Sequence, residues 1–248
     1  MRIIDILENK KEEIKKMRLP SRDRKRDLLD PVSYLKEMPF IAEVKKSSPS
    51  EGCINMKADP VETARCYESA GAGCISVLTD EKFFSGSYKY LEMVSEAVAL
   101  PVLCKDFILS EKQIENAYLH GADFILLIAT ILDDNELKLL SDRARGLGMK
   151  VLFEIHYIEE MIKLRDLDIE LLGVNARDLV TFEVSPGFAM YTMTKLEGEF
   201  LKVAESGIRT PEDVRNLRKS GADAFLIGTS LMRSEDPGRL LKSLYSVL

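Results

Sequence analysis

The chain has 248 residues, 46% of them hydrophobic and 31% charged, with a formal net charge of −6; that is enough for one large domain or two small ones around a substantial core. The acidic balance argues against a general nucleic-acid surface, and no apolar run approaches the roughly 20 residues that span a bilayer. The opening Met1–Lys10 mixes acids among its apolar residues and lacks a small-residue cleavage site, so no signal peptide and a cytoplasmic setting are expected.

Residues 1–39 come first. Ile3, Ile4, Ile6, Leu7, Ile14 and Met17 recur at helical spacing and predict a helix with one apolar side. The basic residues between Arg18 and Arg26 read as a solvated charge run rather than a nucleic-acid contact. A second short helix is expected near Pro31–Met38. Together these make an N-terminal helical extension that covers part of the main body of the chain.

From Phe40 onward, short β-rich apolar runs alternate with amphipathic stretches. The runs are Phe40–Val44, Cys74–Leu78, Val102–Cys104, Phe124–Ile128, Val151–Ile155, Leu171–Val174, Leu201–Ala204 and Ala224–Ile227. Their continuous hydrophobicity suits parallel strands buried on both faces. Helices are expected at Pro60–Ala70, Tyr88–Ala99, Glu111–Leu119, Asn135–Leu147 and Pro211–Lys219, with Asp59, Ser110 and Thr210 as N-caps. Gly71-Ala-Gly, Gly121-Ala-Asp and Gly221-Ala-Asp each stand between a helix end and the next run, where glycine can turn the chain through a left-handed cap. Between Val184 and Glu199 the periodicity is weak and places no helix firmly.

Eight βα beats over residues 40–248 predict an α/β fold, a (β/α)8 TIM barrel forming a single domain over 1–248 with the extension included. A doubly wound open sheet is the rival, but the chain has no GxGxxG turn. Cys53, Cys66, Cys74 and Cys104 show no CxxC spacing, so neither a zinc site nor a disulfide framework is expected; Cys74 and Cys104 read as small buried hydrophobes.

In such a barrel, chemistry sits at the carboxyl ends of the strands. The first run ends in Glu43 and Lys45, alternate positions that share one strand face. The third ends in Lys105-Asp106, the fifth in Glu154, and the sixth in Asn175 with Arg177 and Asp178 beyond. The seventh ends in Glu205-Ser206-Gly207 and the eighth in Gly228-Thr229-Ser230. Burying such charges costs several kcal/mol per ion unless they are paired, so their convergence points to a site that binds anions and moves protons both ways. The two glycine-containing turns after the last two strands suit a phosphate. Bland readings stand beside these. Glu43 and Lys45 can form a rim ion pair, Asp106 reads as support for Lys105, His120 as a helix cap, and Phe83 and Phe84 as loop packing. His156 reads as lying outside the chemistry.

With those residues in place, the chain resembles the indole-3-glycerol phosphate synthase family, the ring-closing enzymes of tryptophan biosynthesis. The resemblance rests on Ile41-Ala-Glu-Val-Lys-Lys-Ser-Ser-Pro-Ser50, Ser76-Val-Leu-Thr-Asp-Glu-Lys-Phe-Phe-Ser-Gly86 and Leu103-Cys-Lys-Asp-Phe107. It continues through Leu152-Phe-Glu-Ile155, Gly173-Val-Asn-Ala-Arg-Asp-Leu179, Val203-Ala-Glu-Ser-Gly-Ile208 and Phe225-Leu-Ile-Gly-Thr-Ser-Leu231. Ala176 departs from it, standing where serine or threonine is frequent.

The resemblance implies closure of a pyrrole ring on 1-(2-carboxyphenylamino)-1-deoxyribulose 5-phosphate, then loss of carbon dioxide and water. It implies Glu43, Lys45, Lys105, Glu154, Asn175 and Ser206 as catalytic groups. Lys105 would be the acid at the ketone oxygen and Glu154 the carboxylate of the later proton removal, with Lys45 at the substrate carboxylate beside Glu43. It implies Ser48, Phe84, Phe107, Arg177, Leu179, Glu205, Gly207, Gly228 and Thr229 as substrate-binding groups. Ser48, Ser206, Gly207, Gly228 and Thr229 would take the phosphate, while Phe83, Phe84, Phe107 and Leu179 would seat the ring. A lysine suits the acid role if neighbouring cations lower its pKa.

No metal or cofactor is implied. The partner is a small phosphorylated substrate, with no nucleic acid or membrane; the chain would be a monomer or weak homo-oligomer, with contact to other tryptophan-pathway enzymes open. The rivals are a phosphoribosylanthranilate isomerase-like enzyme, which calls for cysteine and aspartate where Glu43/Lys45 and Asn175 stand, a Schiff-base aldolase using Lys105, and a non-catalytic phosphate-binding barrel.

Overall fold

The computed structural model describes residues 2–248; Met1 lies outside the described residues. Eight parallel strands close on themselves: β1 Phe40–Val44, β2 Cys74–Leu78, β3 Val102–Lys105, β4 Phe124–Ile128, β5 Lys150–Ile155, β6 Leu171–Asn175, β7 Leu201–Glu205 and β8 Ala224–Ile227, with β8 returning to β1. The expected (β/α)8 barrel is therefore the fold.

Three strands run one residue further than the apolar runs suggested. Lys105, Asn175 and Glu205 remain in the ladder, as the register Leu78↔Lys105 and Asn175↔Glu205 shows. A polar side chain ends an apolar run without ending the backbone pairing. The same strand alternation sorts the barrel walls. Ile41, Cys74, Leu103, Phe124, Leu126, Leu152, Leu171, Val203, Ala224 and Leu226 fill the interior. Ala42, Ile75, Cys104, Leu127, Phe153, Leu172 and Phe225 face the surrounding helices. Full burial of one such large side chain is worth about 1.5–3 kcal/mol. A one-residue slip would exchange the two sets, which fixes the register and with it the level of the polar residues above the apolar interior.

Helices form where expected, with ends shifted by up to two residues. Asp59 accepts the N–H groups of Val61 and Glu62, and Ser110 that of Lys112, while Thr210 forms a capping box with Asp213. Each such cap contributes about 1 kcal/mol. Gly121 takes φ +90°, the left-handed turn that the sequence echo required. In the weakly periodic segment a helix spans Pro186–Lys195; it buries the small or flexible Ala189, Thr192 and Met193 and leaves Phe188 and Tyr191 exposed, which blurs the pattern.

The extension contains α1 (Ile3–Lys16) and α2 (Pro31–Glu37). Leu35 of α2 joins the interior cluster and closes the amino end of the barrel. Between the helices, Arg24 and Arg26 are not solvated. Their guanidinium groups lie 2.7 and 2.8 Å from the two oxygens of buried Asp123, which also accepts the N–H groups of Leu29 and Val102. Arg26 donates further to the carbonyls of Ser95 and Leu100. These two members of the basic run are an internal clamp, since an aspartate buried beside a strand start needs cations and N–H donors.

α1 crosses the opposite, carboxyl-end rim. Its Lys10 is 2% exposed, with its ammonium 2.8 Å from both Asp80 and Asp106 and 2.7 Å from Glu13. Asp106 also accepts from the Thr79 hydroxyl and from the Phe107 N–H. Burial alone would pull the Lys10 pKa down; the Asp106 and Asp80 carboxylates reverse this and push it up.

Candidate active site

A cavity of about 490 Å³ opens at the carboxyl ends of the strands. All the catalytic and substrate-binding candidates named from the sequence line it, from Glu43 on β1 to Thr229 beyond β8. Phe83, by contrast, does not reach it; of the two adjacent phenylalanines only Phe84 does.

The floor is a charge cluster set on the strand ladder. Lys105 Nζ lies 3.1 Å from Glu205 Oε2 and 3.4 Å from Glu154 Oε2. Lys45 Nζ lies 2.7 Å from Glu43 Oε1, so the rim ion pair foreseen for these two exists, inside the cavity. Glu43, Glu154 and Glu205 are each almost wholly buried.

The neighbours of Lys105 correct one expectation. Cations were to lower its pKa, yet three carboxylates face it. Burial by itself would pull the ammonium down, but Glu205, Glu154 and Glu43 outweigh it and push it up. The lysine is thus held in its ammonium form. The carboxylates divide in turn. Burial raises Glu205 to about 8, with Lys105 opposing this and Glu154 adding to it. Burial would raise Glu154 as well, but Lys105 and His156 bring it below the ordinary glutamate range. Glu43 is likewise low, because Lys45 and Lys105 overcome its burial. The floor therefore sets one carboxyl with a raised pKa and two held low around the ammonium groups of Lys105 and Lys45, an arrangement able both to give and to take protons.

Two glycines make room for this floor. A Cβ on Gly173 of β6 would collide with Glu205 Oε1, and one on Gly228 with Glu43 Oε1. Gly173→Ala is expected to lower kcat/KM about 100-fold by displacing the Glu205 carboxyl, the scale of loss from a misplacement of about 1 Å. Steady-state kinetics on the folded variant checks this, and an unchanged kcat/KM refutes it.

The walls differ in character. On one side Phe84 and Phe107 lie with ring centroids 6.1 Å apart, and Leu179 and Leu126 line the same cavity. On the other side are the turns after β7 and β8. Ser206 and Gly207 both take positive φ, +69° and +80°. For serine that conformation costs about 1 kcal/mol or more, a strain seen mainly where a site needs the backbone aimed.

Sequence reasoning missed several groups at this mouth. Glu51, in the hairpin of Ser47–Ser48 and Gly52–Cys53 after β1, lies 3.4 Å from Arg177 and 2.9 Å from Arg233. Arg177 also donates to the carbonyl of Phe182, and Asn175 Oδ1 accepts the Arg177 N–H. Arg209 and Arg233 line the cavity as well. Both follow a glycine turn by two to five residues, a spacing that could have marked them.

A family model described as indole-3-glycerol phosphate synthase matches residues 4–244. The chain belongs to the indole-3-glycerol phosphate synthase family. It is 45% identical over 205 residues to the indole-3-glycerol phosphate synthase of Polaromonas naphthalenivorans, covering 83% of this chain and 78% of that one. It is 48% identical over 205 residues to that of Neisseria gonorrhoeae, with the same coverage of both chains. Among solved structures, 3-hexulose-6-phosphate synthase from Salmonella typhimurium superposes with a TM-score of 0.69 at 15% identity, covering 85% of this chain and 98% of that one. Tryptophan synthase subunit alpha from Legionella pneumophila gives 0.64 at 14%, covering 88% and 96%. Those two likenesses concern the barrel alone. As in other members of the indole-3-glycerol phosphate synthase family, the chain is an enzyme of tryptophan biosynthesis and a carboxy-lyase.

Proposed function

We propose that this cavity closes the pyrrole ring of 1-(2-carboxyphenylamino)-1-deoxyribulose 5-phosphate and then expels carbon dioxide and water, with each residue in the role its surroundings support. The observation that carries the reading is Lys105. Its ammonium stands between Glu154 and Glu205 on the floor, with an aromatic slot on one wall and two glycine turns on the other.

The carboxyphenyl ring lies between Phe84, Phe107 and Leu179, and the phosphate takes the turns at Ser206, Gly207, Gly228 and Thr229 together with Ser48. This orientation sets the ketone over Lys105. The ring carbon attacks, and Lys105 gives its proton to the ketone oxygen as charge develops there, then takes another from solvent before the loss of water. Lys45 and Arg177 meet the substrate carboxylate until it leaves as carbon dioxide, and Glu43 holds Lys45 in place. Glu154, kept ionised, removes the carbon-bound proton in the final loss of water, with Asn175 and Glu205 beside it. An isomerase of the same pathway would need a cysteine and an aspartate where Glu43 and Asn175 stand. The four free thiols support a reducing, cytoplasmic setting, and no described helix is long and apolar enough to cross a membrane.

The test follows indole fluorescence after adding the substrate. Turnover is expected with a chelator present. Thr229→Ala should raise KM about tenfold while leaving kcat within about twofold, because uniform binding is what it removes. Folded protein that produces no indole overturns the assignment.

A further inference from the structure

His156 lies just past the end of β5 and is 3% exposed. Its Nε2 is 3.5 Å from Glu154 Oε1 and has no hydrogen-bond partner among the described residues. On the far side of the ring, Nδ1 lies 2.9 Å from Thr130 Oγ1, and that hydroxyl lies 2.6 Å from Glu160 Oε1. The second oxygen of Glu160 accepts the N–H groups of His156 and Tyr157 at 2.7 and 3.2 Å.

Proton counting fixes the tautomer. A threonine hydroxyl has one proton to give, and a carboxylate can only accept. Thr130 therefore donates to Glu160 and accepts from Nδ1, which must carry a hydrogen. The neutral ring then turns a bare lone pair on Nε2 toward a carboxylate oxygen in a buried site. One proton between the two satisfies both. Catalytic hydrogen bonds of this kind are often long before substrate tightens them.

We propose that His156 is a positioning residue for Glu154: the two share one proton across this gap, and the charged imidazole so formed holds Glu154 ionised and aimed to take the proton from the substrate carbon during loss of water. The inference rests on the reading of Glu154 as the base of that step. Glu154 takes the C–H proton, the C–H electron pair becomes the ring double bond, and the C–O bond breaks. The departing hydroxyl leaves as water with a proton from Lys105. The imidazolium stays held by Thr130 and Glu160 throughout. The proton on Glu154 passes to Lys105, whose Nζ lies 3.4 Å away, so the step neither gains nor loses a proton.

The charged groups facing Glu154 are Lys105 on β3, Glu205 on β7, Glu43 on β1 and His156 itself. Glu160 faces His156 from the following turn. An imidazolium here helps to hold Glu154 ionised. His156→Asn should thus lower kcat about tenfold or more, leave KM within about twofold, and move the acid limb of the kcat–pH profile to higher pH. Thr130 is exposed, so Thr130→Val keeps the fold; it should shift both quantities in the same direction by less, and Thr130→Ser should behave as wild type. In a Glu154→Gln background, adding His156→Asn should change kcat less than about twofold, because the partner is gone. A wild-type profile in His156→Asn, a slower variant with an unmoved profile, or additive losses in the double variant overturn the proposal. Wild-type turnover by Glu154→Gln would instead remove the base itself, a separate result from loss of the coupling alone.

Discussion

Lys105→Met is expected to lower kcat by about a thousandfold or more, within the 10²–10⁴ range that a positioned acid contributes. Methionine keeps most of the length of the side chain but has no proton to give. The loss has a second source. Without the ammonium, Glu43, Glu154 and Glu205 face one another with no cation at their centre, and Glu154 rises toward the protonated state in which it cannot act as a base. The pH behaviour of the wild type follows from the same contacts. A lysine whose folded pKa is raised above its unfolded value of about 10.4 contributes its full stability below that value and loses it only as pH rises through the folded one. The acid is therefore loaded throughout the neutral range, and any basic limb near neutrality belongs to another group. A firmly protonated amine is also a poor nucleophile, so borohydride should trap no substrate adduct. Single-turnover indole formation, with circular dichroism to confirm folding, decides the matter; a kcat within tenfold of wild type would mean that another group protonates the ketone oxygen.

Lys10→Met is expected to destabilise the fold by about 3–5 kcal/mol, the scale for breaking a buried ion pair from one side. The wild-type ammonium is held by Asp80, Asp106 and Glu13 in a nearly dry pocket, and its removal strands buried carboxylates. Burial already holds Asp106 above the ordinary aspartate value even with Lys10 opposing. In the variant that rise grows, so the deficit is full where Asp106 is forced to ionise and narrows as pH falls through its raised pKa. Urea unfolding at neutral and mildly acidic pH measures both effects. Adding Asp106→Asn to Lys10→Met should recover part of the loss. A deficit below about 1 kcal/mol at neutral pH refutes the argument.

How much the sequence disclosed depends on how far each residue's partners lie along the chain. The barrel strands were legible because parallel strands covered on both faces carry unbroken apolar runs, and the floor was legible because charge at the ends of such runs is costly. Asp59, Ser110 and Thr210 cap helices that start beside them, so local spacing sufficed. Lys10 was illegible for the opposite reason. It interrupts an apolar stripe in α1, and only the folded chain brings Asp80 and Asp106 to it. Arg24 and Arg26 looked like a solvated run because Asp123 is distant in sequence. For Lys105 the place in the cavity was legible and its electrostatics were read inversely: the positions of Glu154 and Glu205 around it are set by barrel closure, which composition does not report.

The hydrogen-bonded pairing that carries Lys105, Glu154, Asn175 and Glu205 has a consequence for altering specificity. These four side chains spring from the ladder itself, through Leu78↔Lys105, Ile128↔Glu154 and Asn175↔Glu205, whereas Ser48, Glu51, Phe84 and Arg177 sit on the connections above it. With the roles proposed above, the molecule divides into a fixed proton-handling tier and an exchangeable recognition tier. Exchanging the segments around Ser47–Cys53 and Arg177–Val184 for those of other barrels is therefore expected to change which aryl-amino ketose is admitted before it changes the proton transfers assigned to the tier beneath.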